Sequence, residues 1–135
     1  MREYIIPYMK KPLVILGIVA VIAIGGGLWL YRASNTPSPL DGFAACLNEQ
    51  GATMYGTYWC PYCKQQKELF GRSFSRAKYV ECAMPGNPRA QAPACREAGV
   101  QSYPTWIFAD GSRLTGVQEL EDLATKSGCA LPTAP

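Results

Sequence analysis

The segment Thr57-Tyr58-Trp59-Cys60-Pro61-Tyr62-Cys63-Lys64 constrains the fold more than any other stretch of the chain. Two thiols three positions apart can close a disulfide within one helical turn. Pro61 suits the first helical position, where its missing N–H loses nothing. Ala52 to Tyr58, just before, are rich in aromatic and β-branched residues and read as a strand. Cys60 is therefore expected where a strand delivers into a helix N-terminus. Free backbone N–H groups and the positive end of the helix dipole favour a thiolate there. A thiolate both attacks and leaves well in disulfide exchange, so Cys60 is the expected reactive sulfur. Cys63, one turn further in, is expected to be shielded and to act as the resolving thiol.

The rest of the composition narrows the chemistry. The 135 residues contain no histidine, which removes Ser-His-Asp, Cys-His and His-based zinc sites. One C-x-x-C supplies two ligands where zinc usually takes four, and no second such motif follows. No metal is expected, and no cofactor beyond the Cys60–Cys63 pair itself. A purely structural bridge between the two is the bland alternative. Six cysteines are an even number and dense for a chain of this length, which fits an oxidising compartment. Cys82 and Cys95 would close a short loop around a Pro- and Gly-rich stretch, a bridge worth roughly 3 kcal/mol. Relaying electrons to Cys60 is their alternative role. Cys46 and Cys129 remain near the two ends of the domain, where a bridge would tie the first helix to the last residues. Six cysteines allow fifteen pairings, and spacing alone does not choose among them.

Leu13 to Tyr31, LVILGIVAVIAIGGGLWLY, carries no charge. As a helix it spans roughly 28 Å, close to a hydrocarbon core of about 30 Å. Tyr8, Trp29 and Tyr31 flank it, as aromatic residues do at a membrane interface. Arg2, Lys10 and Lys11 precede it and Arg32 alone follows closely, which places the N-terminus in the cytoplasm and Cys60 outside. A cleaved signal peptide is the alternative, but the run is long for one and no A-x-A site follows. The expected organisation is a cytoplasmic segment over 1–12, a single-pass anchor over 13–31 and a linker over 32–40. A soluble domain over 41–131 and a tail over 132–135 complete it. The linker rests on ASNTPSPL, whose Pro37 and Pro39 resist helix. The net charge of +3 forms no basic stripe, so nucleic acid is not an expected partner.

Within the soluble part, apolar spacing predicts helices over 41–50, 60–70, 89–98 and 117–126. Strands are expected over 52–58, 78–82, 103–109 and 112–115, with 84–88 as loop. Asp110-Gly111 reads as a hairpin turn. A strand, a helix and a further strand imply a parallel pair, and the hairpin adds an antiparallel edge. The economical α/β solution is a mixed central sheet flanked by helices on both faces.

From Phe43 to Cys129 the chain resembles the thioredoxin family. It is most similar to the thioredoxin-like domain fused to bacterial and plant vitamin K epoxide reductase homologues. The matching stretches are MYGTYWCPYCKQQKELFG, YVEC, AGVQSYPTWIF, DGSRLTG and the closing SGC. The resemblance implies a thioredoxin fold with Cys60 and Cys63 as catalytic residues. It also implies a cis Pro104 against the active-site disulfide, where an edge-strand proline would be the plain alternative. Trp59, Pro61, Tyr62, Tyr103 and Pro104 would then meet the substrate. In that family the domain passes electrons between substrate proteins and a quinone-reducing membrane enzyme. The four-helix quinone-handling domain has no counterpart in these residues, so a quinone-coupled partner would be a separate protein.

Two departures bear on mechanism. Thioredoxins place a buried acid six residues before the first cysteine, and Met54 stands there. Glu81 is a candidate base for Cys63, against its reading as a solvated strand carboxylate. Pro-Tyr between the cysteines is also the glutaredoxin choice, yet Thr115-Gly116-Val117 replaces the Gly-Gly-Cys-type glutathione motif. The expected function is a membrane-anchored thiol–disulfide oxidoreductase acting on exported protein thiols and disulfides, with oxidation as the expected direction. A tethered reductase or electron carrier, and a non-catalytic binding module using the groove around Tyr62 and Pro104, are the alternatives.

Overall fold

The computed structural model describes residues 6–133, with side chains from residue 13 onward. It divides into two compact units between Pro37 and Ser38. Arg2, and the side chains of Tyr8, Lys10 and Lys11, lie outside the described residues.

The first unit is helix α1 (Ile6–Asn35). From Leu13 to Tyr31 every side chain is exposed, on all sides of the helix. A helix that is apolar all round needs an apolar medium or a core, and among the described residues none of this apolar stretch is buried. Leu13–Asn35 is 23 residues, about 35 Å of helix, long and apolar enough to cross a membrane. The helix continues past Tyr31 and takes residues 32–35 from the expected linker. Ser34 and Thr36 donate their hydroxyls back to the carbonyls of Tyr31 and Arg32, each at 2.9 Å. Pro37, lacking an N–H, cannot donate to the ladder and follows the end of the helix.

The second unit begins with α2 (Asp41–Glu49), which buries Phe43, Ala44 and Leu47 on one face. The Asp41 carboxylate accepts the Ser38 N–H at 3.1 Å and complements the helix N-terminus. Strand β1 (Thr53–Gly56) follows, then α3 (Pro61–Phe70) and a 3-10 turn over Gly71–Arg76. Strands β2 (Lys78–Glu81), β3 (Ala83–Met84) and β4 (Asn87–Gln91) lead to the short α4 (Pro93–Glu97). Strands β5 (Thr105–Ile107) and β6 (Arg113–Thr115) form the hairpin, and α5 (Leu120–Ser127) closes the fold.

The main sheet has the order β2-β1-β5-β6. β1 and β2 are parallel, and the other neighbours are antiparallel. The register puts Tyr79, Met54, Trp106 and Leu114 side by side on one face. They pack with Phe43 and Leu47 of α2, Phe70 of α3 and Leu123 of α5. Phe70 is the hub, with its ring 5.9 Å from Phe43, 5.9 Å from Phe74 and 6.0 Å from Trp106. Val80, Tyr55 and Ile107 face the other way, onto Cys95 of α4 and Val100. Helices thus cover both faces, as the alternation of apolar side chains requires.

Three expectations change. Residues 84–88 are not all loop and 89–98 are not one helix, because β3 and β4 pair Ala83 with Gln91 and Met84 with Asn87. Pro93 forces the residue before it out of the helical region, and Ala92 is extended at ψ 145°. Helix can begin only at Pro93, so Arg89 to Gln91 are left to pair as strand. The last helix starts at Leu120 rather than Val117. Buried Gln66 accepts the Gln118 N–H at 2.7 Å and donates to its carbonyl at 3.0 Å, which occupies the two groups a helix would use. Finally, β5 opens at Thr105 rather than Tyr103, since Pro104 has no ladder donor.

Two disulfides brace this unit. Cys82–Cys95 spans 13 residues, with Cα atoms 5.7 Å apart. Cys46–Cys129 spans 83, with Cα atoms 5.9 Å apart. Loop entropy assigns them about 3 and about 4.5 kcal/mol. Cys60 and Cys63 are free thiols.

Candidate active site

Strand β1 ends at Gly56, and Thr57 to Trp59 turn the chain into α3. Cys60 is the N-cap, with extended backbone at φ −74° and ψ 122°, and Pro61 takes the first helical turn. The Cys60 N–H donates to the Thr57 carbonyl, and its own carbonyl accepts the Lys64 N–H, both at 3.2 Å. Cys60 is 6% exposed, while Cys63 is 0% exposed. An incoming sulfur can therefore reach Cys60 alone.

Cys60 faces the loop before β5. Its Sγ donates to the Tyr103 carbonyl across 3.7 Å. The Tyr103–Pro104 peptide bond is cis, and Pro104 is fully buried. The Trp59 ring meets Tyr103 edge-on at 6.5 Å, and its Nε1 donates to the Pro88 carbonyl at 3.0 Å. Tyr58, Trp59 and Tyr62 stand 58%, 47% and 61% exposed around the thiol. Tyr58, Trp59, Pro88 and Arg89 line a cavity of about 300 Å³. A second cavity of about 200 Å³ runs between Thr57, Trp59, Gln91 and Tyr103, with Cys82 in its wall. Hairpin β3–β4 thus forms one side of the approach to Cys60.

Cys63 is sealed differently. A β-carbon on Gly56 would lie 2.7 Å from its Sγ and 3.3 Å from Tyr79 Cε2. Burial pushes the Cys63 thiol up to about 12, with neighbouring Cys60 adding to the rise. A hydrogen bond from the Thr57 backbone and the charge of Lys67 pull the other way. Glu81 is not a solvated strand carboxylate. It is half-buried, and its Oε1 accepts the N–H groups of Ala83 at 2.9 Å and Tyr58 at 3.3 Å. Its Oε2 accepts the Tyr79 hydroxyl at 2.8 Å. Burial and Glu81 together hold the Tyr79 hydroxyl protonated. Glu81 therefore locks the turn before Cys60 to strand β2.

The fold brings Trp59, Cys60, Tyr103 and Pro104 together, with Pro61 and Tyr62 on the adjoining first turn of α3. Cys82–Cys95 packs on the opposite face of the sheet, and Cys129 joins the core of the first face. Sequence reasoning passed over Gly56, Gln66, Lys67 and Tyr79. The Cys63–Lys67 spacing was readable as one helical turn. The meeting of Tyr79 with Gly56 needs the strand register. Among the described residues no group of three or more His, Cys, Asp or Glu side chains could hold a metal ion.

A parallel β1–β2 pair beside an antiparallel hairpin, a C-x-x-C helix after β1 and a cis proline entering β5 define the thioredoxin fold. The class is that of thioredoxin-fold dithiol proteins. Over 105 residues the chain is 40% identical to thiol-disulfide oxidoreductase LTO1 of Arabidopsis thaliana, which covers 75% of this chain and 28% of that protein. It is 38% identical over 55 residues to a glutaredoxin of Pseudomonas aeruginosa, covering 40% of this chain and 63% of that one. The chain thus spans less than two thirds of either relative. No family model matches the sequence. Among solved structures, Fasciola hepatica thioredoxin matches 62% of this chain and 88% of its own, at TM-score 0.39 and 19% identity. Oxidised glutaredoxin 2 of Chlamydomonas reinhardtii matches 64% and 95%, at TM-score 0.39 and 23% identity.

Proposed function

We propose that the protein is a membrane-anchored thiol–disulfide oxidoreductase that forms or exchanges disulfides in exported proteins through Cys60 and Cys63. The observation that carries this reading is the asymmetry of the pair. Cys60 caps a helix beside the Tyr103 carbonyl and an exposed aromatic rim, while Cys63 is fully buried one turn behind it. The Arabidopsis relative, named a thiol-disulfide oxidoreductase, supports the same chemistry.

In the oxidising direction a substrate thiolate attacks Cys60 Sγ of the oxidised pair. A substrate–Cys60 bond forms, the Cys60–Cys63 bond breaks, and Cys63 leaves with the electron pair and takes a proton. A second substrate thiolate then attacks the substrate sulfur of the mixed disulfide and releases Cys60. Two electrons pass from the substrate to the cysteine pair, as thiol exchange requires. Trp59, Pro61, Tyr62, Tyr103 and Pro104 form the surface that holds the substrate backbone near Cys60. A quinone-reducing membrane enzyme would reoxidise the pair.

In this reading α1 is an uncleaved anchor with its N-terminus in the cytoplasm, supported by the excess of Arg2, Lys10 and Lys11 over Arg32. The catalytic unit then lies outside the cytoplasm, where the two structural disulfides persist.

The detergent-solubilised chain should oxidise a reduced model protein, and Cys60→Ser should abolish this. Full activity in that variant would overturn the reading. The reduction potential of the pair fixes the direction. A value near −120 mV supports oxidation, and one near −270 mV makes the protein a reductase.

A further inference from the structure

Resolving a mixed disulfide on Cys60 requires the Cys63 sulfur as a thiolate, and Cys63 is fully buried. A carboxylate on β1 would be one remedy, but Met54 is there, buried between its register partners Tyr79 and Trp106. The charged groups that face Cys63 come from elsewhere. The charge is that of Lys67 on its own helix; the titratable neighbours are Cys60 at the N-cap and the protonated Tyr79 on β2, with Glu81 bonded to the Tyr79 hydroxyl. The turn after β1 adds only the uncharged Thr57 backbone.

Lys67 lies one helical turn beyond Cys63, so the two share a face of α3. Its ammonium sits 3.6 Å from the Tyr79 ring centroid and 5.3 Å from that of Phe74. A cation over such a face is held by the ring quadrupole. The edge of the same Tyr79 ring comes within 3.3 Å of the point a Gly56 β-carbon would occupy, and Cys63 Sγ comes within 2.7 Å of it. Tyr79 is thus a shared wall, with the sulfur near its edge and the ammonium on its face. Glu81 holds the ring in place through the hydroxyl. Three donors, from Tyr58, Ala83 and Tyr79, offset the negative charge of Glu81.

We propose that Lys67, seated on Tyr79, is the positioning residue whose charge stabilises the Cys63 thiolate as Cys63 attacks or leaves Cys60. The proposal rests on the redox reading above. In the resolving step Cys63 gives its proton to solvent, and its electron pair forms the Cys60–Cys63 bond. The Cys60–substrate bond breaks, and the substrate sulfur leaves as a thiolate and is protonated. The cysteine pair is oxidised by two electrons and the substrate disulfide is reduced by the same two. Run backwards, the same charge assists Cys63 as a leaving group.

The test uses the full chain in detergent. In a Cys60→Ser background, the ultraviolet absorbance of the Cys63 thiolate, taken as the difference from a Cys60→Ser, Cys63→Ala control, is followed from neutral to strongly alkaline pH. Lys67→Met should move the midpoint up by about one unit, or roughly tenfold less thiolate at a given lower pH. Lys67→Arg should restore the native profile. With Cys60 present, decay of a Cys60–peptide mixed disulfide should slow about tenfold in Lys67→Met, with its formation changed less than twofold. Should Lys67→Met fail to fold, Lys67→Gln takes its place. An unchanged thiolate profile, equal slowing of both steps, or failure of Lys67→Arg to restore the profile overturns the proposal. Oxidation of a model protein that survives Cys60→Ser would overturn the redox reading instead, while the Cys63 profile still judges Lys67.

Discussion

Gly56 leaves Cys63 the room it occupies. A β-carbon 2.7 Å from Sγ and 3.3 Å from the Tyr79 ring has no flexible neighbour to displace, since both sides belong to packed groups. Gly56→Ala should therefore lower stability by about 1–3 kcal/mol, read from urea denaturation, and slow closure of the Cys60–Cys63 bond. The buried Cys63 thiol also imposes a pH dependence. Folding raises it from 9.0 to about 12, so between those values the native state holds a proton the unfolded chain has lost. Its contribution is fully present below about pH 9 and disappears as pH rises toward about 12. The urea midpoint of the reduced protein should fall across that window more steeply than that of Cys63→Ala. At this scale the backbone settings of Cys60 and Pro104 were legible, because proline and paired cysteine announce special backbone wherever they occur. Lys67 and Tyr79 were not, since a lysine on a helix and a tyrosine in a strand look ordinary until register places them around one glycine.

Among the elements, α3 carries the most. Its N-terminus presents Cys60, and its C-terminal Phe70 touches Phe43, Phe74 and Trp106, which come from three other segments. Phe70→Ala should cost about 3–5 kcal/mol, a large share of the stability of a domain this size, and denaturation of the reduced and oxidised forms should both show it. Gln66, between these ends, fastens α3 to the chain entering α5 through two peptide hydrogen bonds. The parallel β1–β2 pair and the antiparallel hairpin were readable from the alternation of strand and helix patterns, while the order of the strands was not. The stretch after Cys82 misled because Arg89, Ala90 and Gln91 are good helix formers. Their fate is decided by Pro93, which excludes helix before it, and by β3, which offers a partner two residues long. Propensity lost to a neighbouring constraint that no window centred on those residues contains.

At the scale of the molecule, an apolar helix and a disulfide-braced redox unit share one chain. A membrane span tolerates little charge: with α1 as the proposed anchor, Ile22→Lys, near its middle, should raise the cost of insertion by about 3 kcal/mol. Carbonate extraction of membranes should then release more of the variant than of the native chain. The apolar run was legible because so long a stretch of uncharged hydrocarbon is stable only in a bilayer or a protein core. The helical turn beyond it was hidden in a polar sequence held by back-bonding hydroxyls. Cys46–Cys129 has a mechanical meaning as well. A pull between α1 and the C-terminal residues enters at α2, crosses the Cys46–Cys129 bond and exits near Cys129. The sheet, the reactive pair and the loop before β5 all lie inside the closed ring, off the line of tension. A pull applied at those two ends would thereby bypass the active site for as long as that bond stays oxidised.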